Sequence, residues 1–517
     1  MDRRRFLELS GAATAAAVLT GCGGGGSSSS SGTPITPPVV PVGPDWQGLA
    51  TTIQGNIIQP GNASYNQARL VYNPRYDAIL PQAIVRCASA DDVNTALAFI
   101  RKNGLTVTAR SGGHSYAGYS TGTGVVIDVG AMNTITVGNG TATIGAGAKL
   151  ADVYDQLTAQ GVAIPSGTCS TVGIAGITMG GGIGIVDRAY GLTCDNLISA
   201  QVVTADGKIV TCDASNEPDL FWALRGGGGG NFGIVTSFTF KTHTTSDITV
   251  GIASFSMDDT VKVMAAWQTW GQTLPDTIWS NVIFSWSSGN TPYLLLKAIC
   301  VGSVADLTPY WDALLLATQS TAERPGIFTI AYRDIVLGDC GGLTVAECHI
   351  EGKTPAGKKQ RTEFASTSDF FDAVVPNEGI QALRQAFLTN FASYASGVAD
   401  GTGAAWIFDL MGGAIGRVAS DATAFPHRGA LFSAEYYNLH TVAVADAKID
   451  SEQVAANNVR AIMKPWSSGR AYVNYIDPLI TDWKTAYYGG NYARLVQVKA
   501  KYDPTGLFKF PQGIPTS

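Results

Sequence analysis

The sequence is poor in charge, in histidine and in clustered metal ligands. Charged residues make up only 14% of the 517 residues, and the net charge is −6. No lysine- or arginine-rich cluster follows the first few residues, which argues against nucleic acid as a partner. Only five histidines are present, and neither a Cys-x-x-Cys nor a His-x-x-x-His pattern occurs, so we expect no metal site.

The first 21 residues predict an export signal. Three arginines, Arg3 to Arg5, precede an apolar run from Leu9 to Leu19, which is typical of a twin-arginine signal and too short to span a bilayer. The segment Leu19-Thr20-Gly21-Cys22 is similar to a bacterial lipoprotein cleavage site, after which Cys22 would carry the lipid. We therefore expect a periplasmic or extracytoplasmic protein that touches the membrane only through Cys22. An ordinary cleaved signal is the alternative.

Residues 22–45 are rich in glycine, serine and proline and predict a linker, with packing to begin near Trp46. The chain beyond Trp46 is longer than one core usually covers, so two domains are expected. Eight cysteines are present. An oxidising compartment would permit bridges, and Cys340 and Cys348 are the nearest pair, but buried free thiols remain an equal alternative.

Short strands and helices alternate after residue 83. We predict a strand over Ile84–Arg86, a helix that opens at Ser89 with a capping box, and a strand over Leu105–Ala109. A helix is expected from about Lys149 to Gln160, and Ala205-Asp206-Gly207-Lys208 predicts a hairpin turn. Hairpins argue against a doubly wound parallel sheet, and no acidic residue completes a dinucleotide fingerprint.

Two glycine-rich loops each carry one nucleophilic side chain. Arg110-Ser111-Gly112-Gly113-His114-Ser115-Tyr116 follows a predicted strand, and Ser166 to Gly173 includes Cys169. Further glycine runs follow at 173–184 and 226–230. Loops of glycine and serine let backbone N–H groups approach a pyrophosphate, although any single run could be a plain turn.

Six ordered motifs identify a resemblance to a known family. They are Arg110 to Tyr116, Cys169 to Gly184, Leu224 to Val235, Ala424 to Arg428, Asn474-Tyr475 and Tyr502-Asp503-Pro504. Together they resemble the berberine bridge enzyme-like group of the vanillyl-alcohol oxidase superfamily, whose FAD-binding domain is of the p-cresol methylhydroxylase (PCMH) type. The resemblance implies an α+β fold with a two-part FAD-binding domain, residues 46–245 and 464–517. A substrate domain of antiparallel sheet covered by helices, residues 246–463, is inserted between these parts.

The resemblance also implies FAD bound by two covalent bonds, from His114 to the flavin 8-methyl carbon and from Cys169 to ring carbon 6. Ser170 departs from the proline that usually follows this cysteine. The alternatives are that His114 is an ordinary core histidine and that Cys169 is a structural thiol. Folded export through the twin-arginine route suits a cofactor inserted in the cytoplasm. Further cofactor contacts are expected from Arg110, Ser111, Gly112, Gly113, Ser115, Val172, Gly173, Gly176, Gly180, Gly181, Gly182, Gly184, Gly233, Ile234, Val235 and Asn474.

Four side chains are the expected catalytic and substrate-binding groups. By resemblance, Tyr475 is the base, Tyr116 a substrate-side tyrosine, Asp409 a carboxylate that assists the base, and Glu435 a substrate contact. Because an ordinary tyrosine has a pKa of about 10, Tyr475 would need a neighbour such as a cation or the flavin to become a phenolate. Each of the four could instead be an ordinary aromatic or sheet residue.

The expected reaction is oxidation of an alcohol or hemiacetal carbon, with an oligosaccharide or sugar C1 as the leading substrate. Val172 is similar to the small residue that family oxidases carry where dehydrogenases carry leucine, so dioxygen is expected as acceptor, giving hydrogen peroxide. Trp267, Trp270, Trp279 and Trp286 could stack on sugar rings or belong to the core. The alternatives are a dehydrogenase or an oxidase of a secondary-metabolite alcohol or ring system, and a lipid-anchored binding protein without turnover. We expect a monomer.

Overall fold

The structure is a computed structural model that describes residues 43–287, 289–394, 401–441 and 444–517. The export signal, the lipidation site at Cys22 and nearly all of the linker lie outside these residues, so they stay predictions. The first described helix begins at Trp46, and the chain from there to the C-terminus forms one compact unit. Within the described ranges, no helix has the length and apolar character that a membrane crossing needs.

The helices are α1 (Trp46–Thr52), α2 (Tyr65–Ala68), α3 (Ala90–Lys102), α4 (Leu150–Thr158), α5 (Ile174–Met179), α6 (Asp187–Tyr190), α7 (Pro218–Ala223), α8 (Thr260–Gly271), α9 (Val304–Thr318), α10 (Tyr332–Val336), α11 (Asn377–Tyr394), α12 (Asp446–Met463), α13 (Trp483–Tyr488) and α14 (Tyr492–Tyr502).

The strands are β1 (Asn56–Ile58), β2 (Ala83–Arg86), β3 (Val107–Arg110), β4 (Val125–Asp128), β5 (Ile135–Val137), β6 (Thr141–Gly145), β7 (Val162–Ala163), β8 (Leu197–Val203), β9 (Ile209–Asp213), β10 (Ile234–Lys241), β11 (His243–Thr244), β12 (Asp247–Ser256), β13 (Ile278–Ser287), β14 (Tyr293–Cys300), β15 (Glu323–Ala331), β16 (Glu363–Phe371), β17 (Thr402–Leu410) and β18 (Phe432–His440).

Three main sheets follow from these strands. The first has the order β1-β2-β4-β3, with β2, β4 and β3 parallel and β1 antiparallel. The second, β5-β6-β10-β8-β9, is antiparallel, and the third is a seven-stranded antiparallel sheet of order β15-β12-β14-β13-β17-β18-β16. The expected α+β architecture is therefore confirmed, and it includes a small parallel portion that the hairpin argument did not anticipate.

Local signals in the first domain predicted their elements well. The Ser89 side chain accepts the Asp92 amide hydrogen at the start of α3, and Gly104 adopts φ +61° just after its end. The predicted hairpin joins β8 and β9 through Gly207, at φ +90°. The strand expected over Leu105–Ala109 forms two residues later, as β3.

The seven-stranded sheet buries one face under helices. In β17 the side chains of Trp406, Phe408 and Leu410 are fully buried and pack in one core with Trp267 of α8 and Phe387 of α11. Successive strand residues point to opposite faces, so the residues between these three belong to the other face. That parity places Asp409 of β17 on the face away from the helices.

The four tryptophans considered for sugar stacking are core residues. Trp267, Trp270, Trp279 and Trp286 are all at most 8% exposed. Trp267 donates to the Ser280 hydroxyl at 3.0 Å and Trp270 to the Tyr310 carbonyl at 2.8 Å. The core alternative for these residues is confirmed.

One disulfide is present among the described cysteines, between Cys340 and Cys348. The other five described cysteines are free, and four of them are buried. The disulfide closes a short loop in the segment that links α10 to β16, and both its cysteines pack against Ala151 of α4. The spacing of the two cysteines could only identify them as the nearest pair.

We predict that replacing both disulfide cysteines, as Cys340→Ser/Cys348→Ser, lowers the free energy of unfolding by about 2 kcal/mol, because the bridge restricts the unfolded chain. Thermal unfolding with and without reductant measures this. Reductant should lower the melting temperature of the unmodified protein and leave that of the double variant unchanged. Equal melting temperatures of the two proteins under oxidising conditions would contradict the prediction.

Candidate active site

The first glycine loop is anchored at its start by a buried ion pair. Arg110, the last residue of β3, donates from Nε to Asp128 Oδ2 on the neighbouring β4 at 2.9 Å, and from Nη2 to the Ala68 carbonyl at 2.8 Å. The arginine charge and the Gly130 amide lower the pKa of the buried Asp128 against its desolvation, so the pair stays ionised. The loop that carries His114 thus leaves the sheet in a fixed direction.

The second glycine loop is held by the N-terminus of α4. The amides of Leu150 and Ala151 donate to the carbonyls of Val172 and Ser170, both at 2.9 Å. First-turn amides of a helix have no partner inside the helix, so a neighbouring loop can take them. This arrangement fixes the backbone on both sides of Thr171, two residues after Cys169.

The two loops meet backbone to backbone. A Cβ added to Gly112 would overlap the Gly173 nitrogen, and one added to Gly173 would overlap the Gly112 nitrogen. Across the same junction, His114 Nε2 lies 2.9 Å from Thr171 Oγ1. The structure therefore brings the expected attachment loops of His114 and Cys169 together.

The surroundings keep the His114 imidazole neutral. Its ring stacks on Tyr72, with a centroid distance of 4.0 Å. Burial, and then the charge of Lys149, lower the pKa of His114 to about 3. A neutral imidazole is the nucleophilic form.

Cys169 is exposed and has a free thiol. Desolvation by the atoms packed around it, followed by the negative charges of Asp339 and Glu435, raises the pKa of this thiol to about 12. The thiol is therefore protonated at neutral pH, and a reaction that needs its thiolate has to remove that proton.

The unpaired backbone N–H groups of the glycine loops suit a flavin dinucleotide. Among the described residues, the amides of Gly112, Gly113 and His114 have no hydrogen-bond acceptor, so they are free to bind an anionic ligand. Gly176 in α5 is exposed, and a Cβ there would meet no atom within 4 Å. These positions suit the approach of a pyrophosphate.

The amides of the later glycine run already have partners within the protein. The amides of Gly182 and Gly184 donate to Tyr472 Oη at 2.8 Å and Asp187 Oδ2 at 3.0 Å. A Cβ on Gly180 would overlap the Asn474 side chain, which itself donates to the Ile177 carbonyl at 3.0 Å. These glycines permit close packing of the C-terminal segment rather than offering free donors.

The remaining expected cofactor residues lie around the same loops. Ser111 Oγ donates to the Ala146 carbonyl at 2.6 Å, and Ser115 Oγ accepts the Tyr119 amide at 3.1 Å. Gly233 precedes β10, whose first two residues, Ile234 and Val235, are buried and pair with β8. Gly181 packs against the Phe425 ring, and Val172 is half-buried.

The expected catalytic residues form one cluster. Tyr116 Oη donates to Glu435 Oε1 at 2.9 Å, and Ser366 Oγ donates to the same oxygen at 3.2 Å. The ring of Tyr475 stacks on that of Tyr116, with centroids 5.3 Å apart. Residues from the first glycine loop, from β18 and from the C-terminal segment thus converge.

The two carboxyl groups hold their protons to unusually high pH. Burial raises the pKa of Glu435 to about 7, although hydrogen bonds from Tyr116, Ser366 and Tyr475 oppose the shift. Burial likewise raises the pKa of Asp409 to about 6, against a hydrogen bond from Asn281 at 3.1 Å and the charge of Lys297. Both groups therefore titrate close to neutral pH.

Tyr475 has anionic rather than cationic neighbours. Burial, and then the charges of Glu435 and Asp409, raise the pKa of its hydroxyl well above 10. The largest contributions to this shift come from burial and from acidic neighbours. Tyr475 therefore carries its proton at neutral pH in this structure, and the neighbour that would favour its phenolate stays a prediction.

Further aromatic side chains pack beside the cluster, and sequence reasoning did not identify them. Phe364 contacts Tyr116 edge-on at 4.6 Å between centroids and stacks on Tyr437 at 5.0 Å. Tyr72, on the His114 ring, lies 6.2 Å from Phe364. Ser366 and Asn281 were also missed. Strand parity could have placed Phe364, Ser366 and Tyr437 on the face of Glu435 once the pairing of β16 with β18 was known.

Comparisons with known proteins agree with this geometry. A family described as "FAD binding domain" matches residues 81–213, and one described as "Berberine and berberine like" matches residues 471–515. The chain is 34% identical over 475 residues to the uncharacterized FAD-linked oxidoreductase YgaK of Bacillus subtilis, covering 90% of this chain and 98% of that protein.

Two solved structures share the fold. Physcomitrella patens BBE-like 1 superposes with a TM-score of 0.80 at 28% identity, covering 91% of this chain and 99% of that one. A chitooligosaccharide oxidase superposes with a TM-score of 0.78 at 26% identity and the same coverage.

The fold and the site define a FAD-dependent oxidoreductase with a PCMH-type FAD-binding domain. The chain belongs to the berberine bridge enzyme-like family.

Proposed function

We propose that the protein oxidises an alcohol or hemiacetal carbon of a small molecule, with FAD attached through His114 and Cys169. The observation that carries this proposal is the hydrogen-bonded cluster of Tyr116, Glu435 and Tyr475. Glu435 and Cys169 are close enough for the carboxylate to raise the pKa of the thiol. The proton-accepting group and the expected attachment point therefore lie near each other.

The residues that would hold FAD are those of the two glycine loops. The free amides of Gly112, Gly113 and His114 suit the pyrophosphate, and the neutral His114 ring and the Cys169 thiol are nucleophiles that suit covalent attachment. When bound, FAD supplies the acceptor for the hydride that leaves the substrate carbon.

The protein itself has to remove the hydroxyl proton of the substrate. Because Tyr475 is protonated and in contact with Glu435, we propose that it takes the substrate proton as it passes its own proton to the Glu435 carboxylate. Tyr116 and Ser366 donate to Glu435 and hold the carboxylate in place. Asp409 adds a negative charge that favours proton uptake by Glu435.

The leading substrate is an oligosaccharide or sugar oxidised at C1. The partly exposed rings of Tyr437 and Tyr72, which lie beside the buried Phe364 ring, provide flat apolar surfaces. Asp409, hydrogen-bonded to Asn281, provides a polar group, and this combination suits sugar rings. The similarity to a chitooligosaccharide oxidase supports the same class. An alcohol of an aromatic secondary metabolite is the second candidate, because the same aromatic wall would stack on it.

The covalent attachment is tested by His114→Ala and Cys169→Ala. We expect acid-precipitated unmodified protein to stay yellow and its flavin to be found by mass spectrometry on both the His114 and the Cys169 peptide. Each single variant should retain only the other bond, and the double variant should release its flavin. Colourless pellets from the unmodified protein would refute the attachment. Cys87→Ala, which changes a buried free thiol, is the matched control.

The proton path is tested by Glu435→Gln and Tyr475→Phe. Each should lower kcat by about 10²–10⁴ with the flavin still bound, since each removes a proton-transfer group. In the unmodified enzyme, turnover should rise with pH around 7, where Glu435 loses its proton, and Glu435→Gln should remove that rise. Tyr293→Phe, at an exposed tyrosine outside the cluster, serves as control. Undiminished turnover of Tyr475→Phe would end its assignment.

We further propose dioxygen as the final acceptor, giving hydrogen peroxide. The support is the small side chain at Val172, half-buried in the Cys169 loop. Peroxide formed under air should account for substrate consumed, and Val172→Leu should lower turnover with dioxygen more than turnover with an artificial acceptor. Negligible peroxide alongside rapid turnover with the artificial acceptor would favour a dehydrogenase.

A further inference from the structure

The segment that links α10 to β16 is anchored to the FAD-binding domain at several points. Within it, His349 Nε2 lies 3.1 Å from Asp152 Oδ1 of α4, and Lys353 Nζ donates to the Gln67 carbonyl at 2.9 Å. The disulfide between Cys340 and Cys348 packs on Ala151. We call residues 338–361 the strap.

The strap contacts the loop of the expected flavin-bearing cysteine through one carboxylate. Asp339 Oδ2 accepts the Ser170 amide at 2.9 Å and the Ser170 hydroxyl at 2.6 Å. Its other oxygen, Oδ1, accepts from Lys359 Nζ at 2.8 Å, and the neighbouring Cys340 fixes its backbone. Ser170 is fully buried and directly follows Cys169.

These contacts fix the backbone immediately after Cys169. The Ser170 carbonyl is taken by the Ala151 amide at 2.9 Å, while its amide and hydroxyl are taken by Asp339. All the polar groups of Ser170 are therefore used. A backbone held in this way leaves the Cys169 side chain few directions in which to point.

We propose that Asp339 is a positioning residue that holds the Cys169 loop so that the thiol can form its bond to the flavin. The inference rests on the proposed covalent attachment. Forming that bond removes one hydrogen from the thiol and one from the flavin ring carbon. The two protons and two electrons released pass to dioxygen, which becomes hydrogen peroxide.

If Asp339 acts through its charge, removing it should increase flavin attachment to Cys169. If it acts through its hydrogen bonds, removing it should decrease attachment. Its negative charge raises the pKa of the Cys169 thiol, so an effect through charge alone would make every neutral replacement favour attachment. An effect through hydrogen bonding requires only an acceptor for Ser170. Asp339→Asn keeps an oxygen acceptor without the charge, whereas Asp339→Ala removes both.

The experiment compares flavin attachment in purified holoprotein of the unmodified chain, Asp339→Ala, Asp339→Asn and Ser170→Ala. Peptide mass spectrometry measures the flavin on Cys169 and on His114 separately. We expect Asp339→Ala to lower the Cys169-linked fraction at least five-fold while the His114-linked fraction stays high. Asp339→Asn should remain near the unmodified value, and Ser170→Ala, which loses one of two hydrogen bonds, should fall between.

Glu347→Ala is the matched control. Glu347 lies in the same strap and accepts from Lys358 and Thr344, but it does not contact Ser170. This variant should keep full Cys169 linkage, which separates loss of the Asp339 contact from general loosening of the strap. If Asp339→Ala does not fold, Ser170→Ala against Glu347→Ala gives the same comparison.

Three outcomes would overturn the inference. Equal Cys169 linkage in Asp339→Ala, Glu347→Ala and the unmodified protein would refute the positioning role of Asp339 and leave the covalent attachment intact. Increased linkage in both Asp339 variants would assign the residue an effect through charge instead. No Cys169 linkage in the unmodified protein would refute the attachment itself and the positioning role with it.

Discussion

The site depends on one close approach, that of the backbones at Gly112 and Gly173. Any side chain at either position would overlap the other loop, so the two loops meet only because both residues are glycine. The approach sets His114 within reach of Thr171 and brings Cys169 into the same cleft as Glu435 and Tyr475. A larger residue at position 112 or 173 would separate the expected attachment points without changing either nucleophile.

A second constraint is the parity of the large sheet. Trp406, Phe408 and Tyr436 face the helices, so the alternate positions of β17 and β18 face the cleft. Asp409 and Glu435 hold such positions on neighbouring strands. A shift of one residue in either strand would put a carboxyl group into the helix-covered core and an aromatic ring into the cleft.

The sequence allowed the local features to be predicted. The Ser89 cap, the hairpin turn at Gly207 and the two glycine loops are each encoded within a few residues, and the family resemblance supplied the α+β fold class. What could not be predicted depends on contacts far apart in the chain. Ser170 meets Asp339 169 positions away, and Tyr116 meets Glu435 319 positions away.

The tryptophans show that residue type alone does not predict whether a side chain lies in the core or at the site. Their side chains suit sugar stacking by type, yet the sheet parity and the helices above it place Trp267 and Trp286 in the core. The rings that pack beside the cluster are Phe364, Tyr437 and Tyr72, whose positions follow only from the pairing of β16 with β18 and from the first glycine loop.

The electrostatics of the cluster link its chemistry to the stability of the fold. Raising the pKa of Glu435 from 4.5 to about 7 means that ionising it at high pH costs the folded state roughly 3 kcal/mol, because one pKa unit is about 1.4 kcal/mol. The folded state binds this proton more tightly than the unfolded chain does, so the contribution to stability is present below pH 4.5 and is lost as the pH rises through 7. The apolar core beneath the sheet has to offset that cost. The cluster thereby holds a carboxylate that can accept a proton near neutral pH, next to a tyrosine whose hydroxyl pKa is raised by burial and by its anionic neighbours.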